Sequence, residues 1–366
     1  MFTDNQYLGW IDSKIGLSVK KLQTIELAYS SFEEGVDDRF SKLNSVKQRW
    51  VLRLQNILDY HQDINSFIQT NLLQNVEIIS IRDSRYPQSL TEAGDFAVVL
   101  YCQGNLELLK SKNGLTVVGS RNYSKYSELV LKRILDPVCS QGIPIISGLA
   151  LGIDGLAHKI AVENNCPTIG VIGSGLDDVN FYPTTNLALK KKILATGGLV
   201  MSQFCLGTKA NPYNFPARNK ILASLSDLTW VVQASKNSGS LITANLALEL
   251  GKTLATTPGS ILDASFAGNL ELLRAGASII SSSEDVFSLL GLGHLGKINL
   301  QKEIKFDSEI QKTIYESLGF EAKNVEQISL ECKLDLLSVT SNLSLLEMSG
   351  LVENMGGNVW IRSSSS

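Results

Sequence analysis

At 366 residues the chain is long enough for two or three domains of ordinary size. Apolar residues at 44% and charged residues at 19% exclude disorder as the main theme. With 33 basic against 36 acidic residues the net charge is −3, which excludes binding of nucleic acid through overall positive charge and leaves room for a local basic patch.

No apolar run approaches the roughly 18 residues of a membrane span, and the opening MFTDNQYLGWIDSK carries an acid and amides where a secretory leader has a basic and then an apolar stretch. A soluble cytoplasmic protein without membrane contact is expected. The cysteines, Cys102, Cys139, Cys166, Cys205 and Cys332, are scattered and never spaced C-x-x-C. They read as buried thiols in a reducing compartment, with no disulfide framework and no metal site.

Residues 1–85 place apolar side chains at helical spacing (Ile15, Val19, Leu22, Ile25, then Trp50, Leu54, Ile57, Leu58), with 11 acids against 10 bases; the spacing predicts a small all-helical unit. From 86 to 290 short β-branched runs alternate with helical stretches. The runs around Leu115–Val118, Pro144–Ile146, Thr168–Ile172, Leu228–Val232 and Thr253–Thr256 are continuously apolar or β-branched, as strands covered on both faces are. The expectation is an α/β fold, a doubly wound, mostly parallel Rossmann-like sheet.

A glycine-rich linker is expected over 291–302, and a last unit over 303–362. There the pattern predicts helices near Ser308–Leu318, Asn324–Leu330 and Asp335–Met348, then a hairpin turning at Gly356-Gly357. Three helices and a hairpin are the plan of a winged helix. Ten acids against seven bases from 291 onwards favour a protein partner over a DNA groove.

Ligands of doubly wound sheets bind beyond the carboxyl ends of strands, where backbone N–H groups and helix N-termini favour anions. Each expected strand here runs into small residues: Gly119-Ser120-Arg121; Ser147-Gly148 continuing to Gly152-Ile153-Asp154; Gly173-Ser174-Gly175; Ser238-Gly239-Ser240; and Pro258-Gly259-Ser260. Recurrence at one edge predicts a phosphate-binding rim. Arg121, Lys236 and the segment Phe215-Pro216-Ala217-Arg218-Asn219-Lys220, read as preceding a helix that starts near Ile221, supply cations and amides. Tyr123, Tyr126, Phe181, Tyr182, Tyr213 and Phe215 lie close in sequence. Cations interleaved with aromatic faces suit single-stranded nucleic acid.

Gly251-Lys252-Thr253 imitates the end of a P-loop but ends a helix and enters a strand, the reverse of the required order. Gly173-Ser174-Gly175 lacks the third glycine of a dinucleotide fingerprint, Asp178 standing there. No cofactor is therefore expected. His158 reads as structural, and Lys190-Lys191-Lys192 as a solvated helix face.

The ordered series Val118-Gly119-Ser120-Arg121, Ser147-Gly148-Leu149-Ala150-Leu151-Gly152-Ile153-Asp154, Ala157-His158, Gly173-Ser174-Gly175-Leu176-Asp177, Tyr182-Pro183, Phe215-Pro216-Ala217-Arg218-Asn219-Lys220-Ile221, Ser238-Gly239-Ser240-Leu241-Ile242-Thr243-Ala244, Pro258-Gly259 and Gly268-Asn269 resembles the DNA-processing protein DprA/Smf family. The resemblance implies an extended Rossmann-like domain that binds single-stranded DNA, forms homodimers and loads the RecA recombinase onto incoming DNA in natural transformation. It also implies an N-terminal helical, SAM-like domain and a C-terminal winged helix. The family's basic contacts map onto Arg121 and Arg218, with Lys220 where an arginine is usual, and Asn237 replaces a basic residue before the Ser-Gly-Ser turn.

The mechanism expected is non-enzymatic. Phosphates lie against the Gly-Ser turns and are neutralised by Arg121, Arg218 and Lys220, Phe215 stacks on a base, and Asp154 caps or braces a turn. The alternative is a nucleotide-binding or nucleotide-hydrolysing enzyme of similar outline. Its Pro-Gly-Gly-x-Gly-Thr-x-x-Glu signature is reduced here to Pro258-Gly259-Ser260.

Overall fold

The computed structural model describes residues 2–46, 48–92, 94, 96–111, 113–293, 306–318 and 322–362. Most of the expected linker over 291–302 lies outside the described residues.

The central sheet has nine strands: β1 (Glu77–Ser80), β2 (Val99–Gly104), β3 (Leu115–Val118), β4 (Ile145–Ser147), β5 (Thr168–Val171), β6 (Leu199–Ser202), β7 (Leu228–Val231), β8 (Thr253–Thr256) and β9 (Ser278–Ile279). Their order is β1-β2-β6-β5-β4-β3-β7-β8-β9. The pairings β1/β2 and β2/β6 are antiparallel, and the others are parallel. The mixed, mostly parallel α/β sheet is the one the apolar runs call for, since each of β3, β4, β5 and β7 is buried along its length.

Alternation sorts their side chains to two faces. Leu115, Val117, Ile145 and Trp230 pack with the helices Lys125–Ser140 and Ile153–Glu163. Val118, Ile146, Ile169 and Val231 pack instead with Ile221 and Leu222 of the helix Asn214–Leu225 and Ala244 of the helix Ser240–Glu249.

The strand order decides where a ligand can go. From β3 the chain moves outward through β4, β5 and β6, then returns to lay β7 on the other side of β3. Connections after β3 and β7 therefore diverge to opposite sides and leave a crevice between their carboxyl ends.

The N-terminal stretch forms helices Asp4–Ile15, Val19–Ala28, Phe32–Asp37, Arg49–Gln55 and Tyr60–Leu73. Thr3 and Gln6 close a capping box on the first, and Ser18, Ser31 and Asp59 cap three others. Two findings differ from the sequence pattern. The stretch read as all-helical ends in β1, which pairs with β2, and Leu58 is exposed beyond the end of its helix. The helices share one core with the sheet: Trp10, Ile11, Leu54 and Ile64 join Val99, Tyr101 and Val200, and Tyr101 Oη lies 3.0 Å from the Gly9 carbonyl.

The C-terminal residues form helices Glu309–Ser317, Val325–Cys332 and Leu336–Met348 with strands β10 (Lys323–Asn324), β11 (Val352–Gly356) and β12 (Val359–Arg362), ordered β10-β12-β11. Ile314, Ile328, Val339, Leu343, Leu346 and Trp360 make their core. Among the described residues no helix is long and apolar enough to cross a membrane.

Candidate nucleic-acid interface

The crevice between β3 and β7 opens into a cleft of about 420 Å3. Gly119, Ser120 and Arg121 enter it from the end of β3, Ser238, Gly239 and Ser240 from the turn after β7, and Phe215, Arg218 and Asn219 from the helix Asn214–Leu225. A narrower recess beside it is lined by Arg121, Gly148, Gly173, Tyr182, Phe215 and Arg218. The helices Ile153–Glu163 and Ser240–Glu249 start at this rim with Gly152 and Gly239 as their N-caps. Most of their first-turn N–H groups are taken up inside the turns, Ile153 by Ser120 O, Gly155 by Ala150 O, Leu241 by Ser238 O and Ile242 by Gly239 O, so the two arginines are the stronger attraction for an anion here.

Close packing explains the small residues of the turn after β4. A Cβ on Gly148 would collide with Arg218 Nη1 and come within 2.6 Å of Asp154 Oδ2, and Gly152, at φ +85°, lies against the backbone of Ser120 and Arg121. The turns are held from below by two amides. Asn269 Nδ2 donates to the carbonyls of Val232 at 3.0 Å and Thr257 at 3.1 Å while its Oδ1 accepts from Ala234 N–H at 2.6 Å. Gln233 accepts from Ser124 N–H and Ser127 Oγ, and its own carbonyl accepts from Ser120 N–H at 2.8 Å. Gln233 escaped the sequence reading because a buried amide inside an apolar run carries no signal of its own. Asn269 was visible only as part of the Gly268-Asn269 motif.

Arg218 is 6% exposed. Its nearest counter-charge, Asp154 Oδ2, is 3.9 Å from Nη1, its guanidinium lies 5.9 Å from the Phe215 ring centroid, and Nε has no hydrogen-bond partner among the described residues. Burial lowers the Arg218 pKa, against the pull of Asp154, and Arg121 lowers it further. Burial likewise raises that of Asp154, against the opposing charge of Arg218 and the Gly148 N–H. Both partners lean toward neutrality, so the pair does not recover its desolvation. Asp154 braces the turn through Gly148 N–H at 3.2 Å, as expected, whereas the cap of its helix is Gly152.

Some residues assigned to the rim lie elsewhere. The segment 214–220 is the first part of a helix and not a loop before one. At about 100° per residue, Lys220 is turned some 200° from Arg218, and it lines a different cleft with Ile221 and Ser224. Ser147 is buried and donates to Val117 O at 2.6 Å. Ser174 is buried with its hydroxyl on the Gly175 carbonyl, while Gly175 N–H donates to Thr208 O. Lys236 lies 3.9 Å from Glu271 and lines neither recess. Lys190 belongs to no solvated face: it is 2% exposed and donates to Leu176 O and Asp178. It thereby ties down the loop that leads to Phe181 and Tyr182. His158 is buried, with Nδ1 2.7 Å from Thr168 Oγ1 and its pKa pushed down to about 4 by burial.

Residues 77–291 match the family described as DNA recombination-mediator protein A. The chain belongs to that family. The match begins at β1, where the nine-stranded sheet also begins. Among curated members, Protein Smf of Escherichia coli is 33% identical over 296 residues, which are 79% of this chain and 78% of that one. The X-ray structure of DNA processing protein A from Streptococcus pneumoniae is 32% identical, with a TM-score of 0.65, covering 79% of this chain and 98% of that one. For the family's Helicobacter pylori member the values are 28%, 0.53, 59% and 96%, and its structure is described as giving insight into a single-stranded DNA binding mode.

Proposed function

We propose that this chain binds single-stranded DNA in the crevice between β3 and β7 and hands it to the RecA recombinase, acting as a homodimer and without chemical turnover. The observation that carries the reading is Arg218, a guanidinium lining the cleft whose nearest carboxylate among the described residues, Asp154, stands 3.9 Å away. A phosphate brings the close anionic partner that Asp154, at 3.9 Å, does not supply. Arg121 on the exposed lip adds a second charge, and the Phe215 and Tyr182 rings, edge to face at 6.3 Å, offer apolar surface to an unpaired base. The Helicobacter pylori relative described as binding single-stranded DNA supports the same ligand class.

Asp154, the acid in the cleft, is engaged with Gly148 N–H and Arg218 and takes the role of a brace. The C-terminal unit reads as a winged helix that meets protein. Its helix Leu336–Met348 carries no lysine or arginine and leaves Leu337 and Met348 exposed, so it has no means to neutralise phosphates in a duplex groove.

Fluorescence anisotropy of a labelled oligonucleotide, single-stranded against duplex, tests the proposal. Tight single-strand binding that weakens with salt and vanishes in Arg121→Glu is expected. Equal affinity for both forms, or an unaffected variant, refutes it. Faster RecA filament assembly on single strands in the presence of the chain is the matching test of the hand-over.

A further inference from the structure

We propose that the single strand leaves the rim cleft past the first turn of the helix Asn214–Leu225 and continues into a second cleft, walled on its far side by the N-terminal helices. This rests on the single-strand reading above and extends it to a second subsite. The second cleft has a volume of about 790 Å3, and Pro216 and Ile242 line both it and the rim cleft, so the two share an edge. The rim cleft alone has the size of a small-molecule site. A strand longer than a few nucleotides has to leave it, and Lys220, one turn along the helix from Pro216, lies just beyond the shared edge.

Arg53, exposed on the helix Arg49–Gln55, and Lys220, on the helix Asn214–Leu225, come from opposite walls of the second cleft. Lys14 lines it as well, its charge matched by Asp63 at 2.5 Å. Phe96 and Phe204, both partly buried, add apolar rings. Alternating cation and ring is the composition that tracks a flexible strand. One carboxylate is among the lining residues, Asp12. It accepts from Leu17 N–H at 2.7 Å and lies 2.9 Å from Tyr101 Oη, so its charge is partly absorbed by the protein. Through the second cleft the helical unit becomes part of the binding surface, which a reading confined to the rim does not include.

The test compares two single strands, of about 4 and about 16 nucleotides, by anisotropy on the full chain with Arg53→Glu, Arg53→Lys and Arg121→Glu. The parent is expected to show a logarithmic salt slope near −1.4 for the short strand, from two rim arginines, and near −2.8 for the long one, at about 0.7 per contact. Arg53→Glu is expected to weaken only the long strand and flatten only its slope, Arg53→Lys to restore both, and Arg121→Glu to weaken both lengths. If Arg53→Glu leaves both lengths unchanged, or weakens both equally, the second subsite is overturned while the rim site stands. If the parent binds neither strand, the single-strand reading fails and this inference with it.

Discussion

Asp12 sits where the first helix meets the sheet, and burial pushes its carboxyl from 3.8 up to about 6. The Leu17 N–H, the Tyr101 hydroxyl and the charge of Lys21 oppose that shift and only partly offset it. At about 1.4 kcal/mol per tenfold change, the displacement corresponds to about 3 kcal/mol. Because the folded value lies above the unfolded one, the stability linked to Asp12 is fully present below about 3.8 and is lost as pH rises through about 6.

Asp12→Asn removes the charge but keeps an acceptor for Leu17 N–H. The Tyr101 hydroxyl, already 3.0 Å from Gly9 O, can donate there and accept from the new amide. Weaker hydrogen bonds from neutral groups take back about 1 kcal/mol, so the variant is expected to be about 2 kcal/mol more stable than the parent at pH 7 and no more stable at pH 4. The assay is urea unfolding of parent and variant at half-unit steps from pH 4 to 7, read as their difference. His158 tilts the parent's own profile the opposite way, and it cancels only in that difference. A difference that is constant with pH, or one that favours the parent at pH 7, refutes the reasoning. Loss of a repelling charge in the second cleft is also expected to tighten long-strand binding in the same variant.

Gly148→Ala forces the Arg218 guanidinium out of its seat; a loss of about 1–3 kcal/mol from overpacking and a severalfold fall in single-strand affinity are expected from melting curves and anisotropy. His158, held down at about 4 against an ordinary 6.5, contributes stability that is full above 6.5 and lost as pH falls through about 4; His158→Gln is expected to flatten that acid limb in thermal melts. Lys190→Met leaves the Leu176 carbonyl without its buried donor, at a cost of about 1–3 kcal/mol. It is also expected to loosen the loop before Tyr182, read as faster amide exchange over 174–182 with the sheet unchanged.

The sequence by itself determined the α/β class, most of the parallel strands and the motifs that carry the family. Buried parallel strands must be apolar along their whole length, and tight turns at their ends must be small, so both constraints are written locally. It also named Arg121, Phe215 and Arg218 among the cations and rings of the rim, and all three line the cleft. Only the tertiary structure decided the direction of each cation. A shift of the helix start from Ile221 to Asn214 turned Lys220 to the far side, and the close approach of Gly148 left Arg218 buried rather than displayed. Burial of Lys190 and the joining of the N-terminal helices to the sheet through Tyr101 were likewise beyond local reading. Each depends on residues separated in sequence, from 14 positions for Lys190 and Leu176 to 92 for Tyr101 and Gly9, meeting in the fold, and charge, spacing and composition carry no record of such meetings.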